Sequence, residues 1–305
     1  MQFSKMHGLG NDYVYVQTFT QPAPPDPSSL ARAVSDRHRG IGADGLILIH
    51  PPTDPAASAR MEMYNADGSR GAMCGNGIRC VAKLVVDRGP AGRATDLAIQ
   101  TDAGLKHIRV EAGPVPAVSL ARVDMGPPLL AAGQIPTTLP ADQRGWVVDH
   151  DIRQQVAYLH SPDTEHHDSW ARRSGFDFLA TCVSMGNPHV VFYCGDVQAV
   201  PLETIGVVLE HASVFPQRVN VHVVQVHSEK EVTMRTWERG SGITQACGTG
   251  ASAVCVAGLL TGATGPSILA HLPGGDLQLE WSGRPEDSVF MTGPAQHVFD
   301  GVWPG

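Results

Sequence analysis

Cys74-Gly-Asn-Gly-Ile-Arg and Cys247-Gly-Thr-Gly-Ala-Ser decide the fold. They lie 173 residues apart (247 − 74), and each opens an apolar run that reaches a glycine, Gly89 or Gly262, at the same offset. A Cys-Gly-x-Gly start, an apolar middle and a closing glycine predict a buried helix with a glycine C-cap. Pro90 reinforces the first stop. Upstream, Arg60-Met-Glu-Met-Tyr and Glu231-Val-Thr-Met-Arg-Thr-Trp alternate, then turn at Asn65-Ala-Asp-Gly and Glu238-Arg-Gly-Ser-Gly. Alternation running into turn residues predicts a strand that ends in a loop. Asn65 and Glu238 each precede their cysteine by nine residues. Further upstream, Gly45-Leu-Ile-Leu-Ile resembles Asn220-Val-His-Val-Val, and Gly10-Asn-Asp-Tyr-Val resembles Gly186-Asn-Pro-His-Val, at offsets of 175 and 176.

Four blocks in one order at nearly one offset make an internal repeat. The expected architecture is two similar halves of strands wrapped around a helix. The halves are expected to face each other across a cleft, with both Cys-Gly helix starts pointing into it. The first half is expected over residues 1–123, joined by the tail 294–305, and the second over 124–293.

At 305 residues the chain has room for one large or two modest domains. Its 22 Lys and Arg against 30 Asp and Glu give a net charge of −8, which argues against nucleic acid or an anionic membrane surface as partner. Hydrophobic residues at 42% and charged residues at 17% exclude a disordered chain. The 33 glycines and 23 prolines point to many turns and strands. No apolar run approaches the ~18–20 residues of a membrane span. The start, MQFSKMHGLGNDY, has no apolar signal core, so a cytoplasmic protein is expected.

The stretch from 125 to 184 is less regular and is expected to be a surface insertion. Within it, His160, Asp163, His166, His167 and Asp168 invite a metal site. They lack a recognised ligand spacing and read instead as a solvated loop. Pro22–Pro27 and Pro51–Pro55 read as surface loops.

The six cysteines contain no two-residue gap of the zinc or thioredoxin type, and no metal is expected. Cys80, Cys182, Cys194 and Cys255 read as small buried apolar residues. Cys74 and Cys247 stand apart because their context is duplicated. A thiol at a helix N-terminus meets unpaired N–H groups and the positive dipole end, which favour the thiolate. The same N–H groups bind carboxylates. Two such starts facing one ligand place an acid and a base on opposite sides of one carbon, the geometry for inverting a stereocentre.

Met6-His-Gly-Leu-Gly-Asn-Asp, Tyr64-Asn-Ala-Asp-Gly-Ser, Met73-Cys-Gly-Asn-Gly-Ile-Arg-Cys, Ser184-Met-Gly-Asn-Pro-His, Trp237-Glu-Arg-Gly, Ala246-Cys-Gly-Thr-Gly and Met291-Thr-Gly-Pro-Ala together resemble the diaminopimelate epimerases. The resemblance covers almost the whole chain, with the blocks in the family's order. It implies an α/β (α+β) fold of two pseudo-symmetric domains, each a curved, barrel-like, mostly antiparallel sheet around a central helix. It implies cofactor-independent conversion of LL- to meso-diaminopimelate, for lysine and peptidoglycan synthesis, by a homodimer.

By the same resemblance Cys74 and Cys247 are the acid/base pair, with Cys74 the base toward the LL substrate. The backbone N–H groups of Gly75, Asn76, Gly248 and Thr249 hold the reacting carboxylate. Asn11, Asn65, Asn187, Asn220, Glu238 and Arg239 surround the substrate. His189 and Glu238 tune the thiols. The residue types suit these roles: Arg239 offers a fork for a distal carboxylate, and Glu238 accepts from an ammonium.

The chain departs from the pattern at three points. Gly45 stands where some members carry Gln. Ile243 stands where many carry Glu. Phe299 stands where some carry a tyrosine that supports the dimer. The alternatives are a cofactor-independent racemase of another amino acid on this fold, or a non-catalytic thiol redox or binding protein. Pyridoxal phosphate is not expected, because none of the four lysines has a Schiff-base context.

Overall fold

A computed structural model describes residues 1–89, 95–113, 118–156 and 167–304. The chain divides into two compact units, one of Met1–Asp124 with Thr292–Gly305, the other of Met125–Met291.

In the first unit, β1 (Gln2–Gly8) and β2 (Asn11–Gln17) form an antiparallel hairpin, with Gly8 opposite Asn11. Asp26 caps α1 (Pro27–Ser35), its side chain accepting from the Ser29 amide. Then β3 (Gly45–His50) pairs parallel to β2, and β4 (Ala59–Asn65) antiparallel to β3. The short β5 (Arg70–Gly71) leads into α2 (Gly75–Arg88). After it β6 (Asp96–Thr101) pairs parallel to β4, β7 (Gly104–Ala112) antiparallel to β6, and β8 (Val118–Gly126) antiparallel to β7.

The second unit repeats that order. After β9 (His150–Asp151) and α3 (His167–Ser174), β10 (Leu179–Ser184) and β11 (Pro188–Cys194) form the hairpin. Following α4 (Leu202–Glu210), β12 (Asn220–Ser228) runs parallel to β11, and β13 (Glu231–Glu238) antiparallel to β12. The short β14 (Gly242–Thr244) leads into α5 (Gly248–Thr261). Then β15 (Ser267–Leu272) is parallel to β13 and β16 (Gly275–Glu280) antiparallel to β15. The long β17 (Val289–Val302) returns to the first unit and pairs with β1. The fold is α+β, and the five pairings from β1–β2 to β6–β7 recur in the same order and sense from β10–β11 to β15–β16.

The apolar runs explain the layering. Leu46 and Leu48 pack with Ala31 and Val34 of α1, whereas a Cβ on Gly77 of α2 would lie 2.7 Å from Ile47. Parallel β3 is therefore buried on both faces, which is why its sequence is continuously apolar. In the second unit Val221 and Val223 pack with Ile205 and Leu209 of α4, and the other face of β12 meets α5. Nearly every residue from Gly248 to Gly258 is buried, as expected of a helix apolar all round. Ile78, its side chain fully buried in α2, is a position where truncation to Ala costs ~2–5 kcal/mol.

Two expectations change. Gly262 ends α5 in the left-handed region (φ 73°), the conformation predicted for a glycine cap. Gly89 instead ends α2 extended, and its need for glycine is spatial: a Cβ there would lie 2.6 Å from the Val85 carbonyl. Pro90 lies outside the described residues. Part of the stretch expected to be a surface insertion also proves to be core. Ile135, Leu139, Val147, Ile152, Trp170 and Phe176 are all buried in one cluster with β10, β11 and α4 residues. Of the histidine-rich segment, His160, Asp163 and His166 lie outside the described residues, as do the side chains of His167 and Asp168.

Candidate active site

Cys74 is the N-cap of α2, with its backbone extended (φ −131°, ψ 120°). Its sulfur accepts from the Gly77 amide at 3.3 Å, and its thiol donates to Asn11 Oδ1 at 3.4 Å. Asn11 begins β2, and its Nδ2 donates to Asp44 Oδ2 at 2.8 Å. Asp44 also accepts from the Asp12 amide at 3.0 Å and from Arg37 at 2.8 Å. Asp12 in turn pairs with Arg37 and with Lys5, whose ammonium also reaches the Gly42 carbonyl. A polar network thus stands behind the first thiol.

Cys247 is the N-cap of α5, with the same extended backbone (φ −122°, ψ 105°) and only 4% exposure. Its thiol donates to Glu238 Oε2 at 3.2 Å, and Thr249 Oγ1 lies at 3.6 Å. Glu238 ends β13. The turn after it is tied down by Glu210, which accepts from the Trp237 indole at 2.8 Å and from the Gly240 amide at 3.0 Å. Asn220 Oδ1 accepts from the Arg239 amide at 3.0 Å, while its own Nδ2 donates to the Pro188 carbonyl. The Arg239 guanidinium is exposed and donates to the Gln217 carbonyl at 2.9 Å.

The helix starts were expected to lower both thiol pKa values. Both lie above the ordinary value, because burial removes the water a thiolate needs. At Cys74 the amides of Gly77 and Asn76, the Tyr13 hydroxyl and the Arg79 charge pull back toward ionisation without winning. At Cys247 burial dominates and the Glu238 carboxylate adds repulsion, so this thiol is pushed well up. The two sulfurs are therefore not electrostatic equals. Cys74 is surrounded mainly by donors and a cation, and Cys247 faces an anion.

His189 is fully buried on β11. One ring nitrogen meets His222 at 2.9 Å and the other meets Asn187 Oδ1 at 2.9 Å. His222 continues the chain to Thr236 Oγ1 at 3.0 Å. Burial drives the His189 pKa well below its ordinary value and that of His222 to about 3, so both rings are neutral. His222 went unnoticed in the sequence, although it stands at the repeat position of Ile47. Where Ile47 presses on Gly77, His222 presses on Gly250, and a Cβ there would lie 2.3 Å from its ring. Both nitrogens of His189 are thus taken up by Asn187 and His222.

Asn65 is exposed and its Nδ2 donates to Ser69 Oγ at 2.9 Å, a local turn contact. The helix-start residues Gly75, Asn76 and Gly248 are buried, and Thr249 is half-buried. At Gly45 a Cβ would lie 2.1 Å from the Tyr64 carbonyl, so this backbone excludes a glutamine there. Ile243 is 37% exposed on β14, opposite Trp237. Phe299 is 44% exposed on β17, edge-on to Phe3 with ring centroids 5.9 Å apart.

The family model described as diaminopimelate epimerase matches residues 3–130 and 181–298. A diaminopimelate epimerase of Moorella thermoacetica is 46% identical over 307 residues, covering 100% of this chain and 99% of the relative. One of Methanococcus maripaludis is 43% identical, covering 99% of each. Among solved structures, a phenazine biosynthesis protein of Bacillus anthracis superposes with a TM-score of 0.67 at 12% identity, covering 99% of this chain and 98% of its own. A hydroxyproline epimerase of Agrobacterium vitis superposes with a TM-score of 0.58 at 15% identity, covering 99% and 90%. At those identities the structures speak for the fold alone.

Proposed function

Because this chain belongs to the diaminopimelate epimerase family, we propose that Cys74 and Cys247 are its acid/base pair and that the residues gathered around them hold the substrate. The chain is an isomerase that interconverts LL- and meso-2,6-diaminopimelate, a step toward lysine and peptidoglycan precursors. In the forward direction the Cys74 thiolate takes the Cα proton, and the Cys247 thiol delivers a proton to the opposite face. Each turnover leaves the pair with protonation exchanged. The amides of Gly75, Asn76, Gly248 and Thr249 stabilise the charge that builds on the carboxylate as Cα loses its proton.

Asn11, Asn65, Asn187, Asn220 and Arg239 bind the amino and carboxyl groups of the two ends. Glu238 serves the substrate ammonium and raises Cys247, and His189 orients Asn187. The observation that carries this reading is the unequal setting of the two helix-start thiols. Donors around Cys74 suit the base, and the carboxylate beside Cys247 suits the acid. Exposed Val298, Phe299 and Val302 on β17 support a homodimer in which Phe299 lies at the contact. Among the described residues no helix is long and apolar enough to cross a membrane, and the proposed place of work is the cytoplasm.

The test is solvent exchange. Reduced protein is incubated in D2O without pyridoxal phosphate, with LL-diaminopimelate and separately with proline, histidine and lysine. NMR follows deuterium at Cα, and chiral chromatography follows configuration. Exchange with inversion confined to diaminopimelate is expected. Inversion of another amino acid would replace the substrate, and no exchange at all would remove the two-thiol mechanism.

A further inference from the structure

The repeat treats one asparagine in two opposite ways. Asn11 and Asn187 occupy the same place, each following the glycine of the hairpin turn, Gly10 or Gly186. Asn187 has its Oδ1 engaged by His189 at 2.9 Å. Asn11 has its Nδ2 engaged by Asp44 at 2.8 Å. Asp44 itself has no counterpart: the matching position of the second half is the buried, apolar Val219.

Among the described residues the groups that meet the Asp44 carboxylate are donors, namely the Asn11 amide nitrogen, the Asp12 backbone amide and the Arg37 guanidinium. A carboxylate only accepts. It therefore fixes which end of the Asn11 amide faces it, and so fixes which end faces away. The end facing away is Oδ1, 3.4 Å from the Cys74 sulfur. A carbonyl oxygen accepts from a thiol and repels a thiolate; an amide N–H does the reverse. The other groups at that sulfur are the Tyr13 hydroxyl on the same strand and the Gly77 and Asn76 amides and Arg79 of α2, all of which favour ionisation.

We propose that Asp44 is a positioning residue for Cys74: by holding the Asn11 amide with its N–H groups turned away, it aims a carbonyl at the sulfur and biases Cys74 toward the thiol. This rests on Cys74 acting as an acid/base group, but its test reads ionisation and not turnover. Removing the carboxylate lets the amide turn over and donate to the thiolate, and Cys74 then ionises at lower pH. The fall is about one pH unit, a roughly tenfold larger thiolate fraction below the midpoint.

The experiment is iodoacetamide alkylation of the full-length protein across a pH series, with the Cys74 peptide quantified by mass spectrometry. Cys74 is half-buried while the other five cysteines are buried, so it is followed separately. Asp44→Ala should react about tenfold faster at neutral pH than wild type. Asp44→Asn keeps an acceptor oxygen for Asn11 and the Asp12 amide while removing the charge, and should stay close to wild type. Asp44→Ala in an Asn11→Ala background should show no acceleration beyond Asn11→Ala alone. If Asp44→Asn accelerates as much as Asp44→Ala, the effect is one of charge and the orientation argument falls. Acceleration that persists without the Asn11 side chain, or an unchanged rate in Asp44→Ala, also overturns it.

Discussion

Replacing Glu238 by Gln isolates the charge beside the second thiol. The Cys247 thiol donates to Glu238 Oε2 at 3.2 Å, so ionising it creates two adjacent anions. Two unit charges at that distance repel by ~1 kcal/mol in water and ~5 kcal/mol at an effective dielectric of 20. One pH unit of midpoint corresponds to ~1.4 kcal/mol, so a repulsion of that size is enough to produce a readable upward shift of Cys247. Gln keeps the volume and an acceptor oxygen but removes that repulsion. Burial, the larger cause of the upward shift, stays in place. The Cys247 midpoint in Glu238→Gln should therefore drop but remain above the ordinary thiol value. The assay is an NMR pH titration of protein carrying 13C at cysteine Cβ, with the Cys247 signal assigned by its loss in Cys247→Ser. Working without substrate separates this effect from any loss of ammonium binding. An unchanged or higher Cys247 midpoint would refute the claim that Glu238 keeps this thiol protonated.

Cys74→Ser or Cys247→Ser should each lower epimerisation by several orders of magnitude, because a hydroxyl is a far weaker acid; wild-type turnover by chiral chromatography in either variant would sink the pair. Gly45→Gln, which installs the residue some relatives carry, should destabilise this chain by ~1–3 kcal/mol in urea unfolding, because its Cβ would meet the Tyr64 carbonyl. His222 is buried with its pKa depressed to about 3, whereas an unfolded imidazole titrates near 6.5. The unfolded chain thus binds the extra proton. The stability this ring contributes is fully present above ~6.5 and is lost as pH falls toward the folded value, by ~1.4 kcal/mol per unit. Comparing urea midpoints at pH 7, 6 and 5, His222→Gln should show a shallower acid loss than wild type by about that slope, and equal slopes would contradict the neutral-ring assignment.

The duplicated helix starts were legible because a repeat converts weak local motifs into a joint constraint. Cys74 and Cys247 do cap α2 and α5, and the strands before them alternate as their burial requires. The direction of the thiol shifts was not legible. A helix N-terminus is a local property, but the dehydration that outweighs it depends on everything packed around the sulfur. The core placement of Ile135, Val147, Trp170 and Phe176 was missed for a related reason. Ile135, Val147 and Phe176 sit in irregular backbone with no period of 2 or 3.6, and Trp170 is on the two-turn α3, too short to show a period, so the polar residues between them dominate the reading. His222 carried a usable signal: on an alternating strand it shares a face with Asn220, and it interrupts an apolar pattern that the first half completes with Ile47.

The pairing of β1 with β17 sets an order of events during synthesis. Gln2 lies opposite Val302, the Met1 ammonium donates to the Trp303 carbonyl at 2.7 Å, and Arg88 and Ser4 both bind Asp300. Residues 125–291 form their unit from one continuous stretch, which can fold as soon as it clears the ribosome. The unit that emerges first must wait, its opening strand unpaired along one edge, until residues near 300 arrive. A ribosome stalled late in the message would thus release a chain whose N-terminal end, and not its C-terminal end, is the unfinished one. The same logic marks a nick in the tail as a lesion of the unit that carries Cys74.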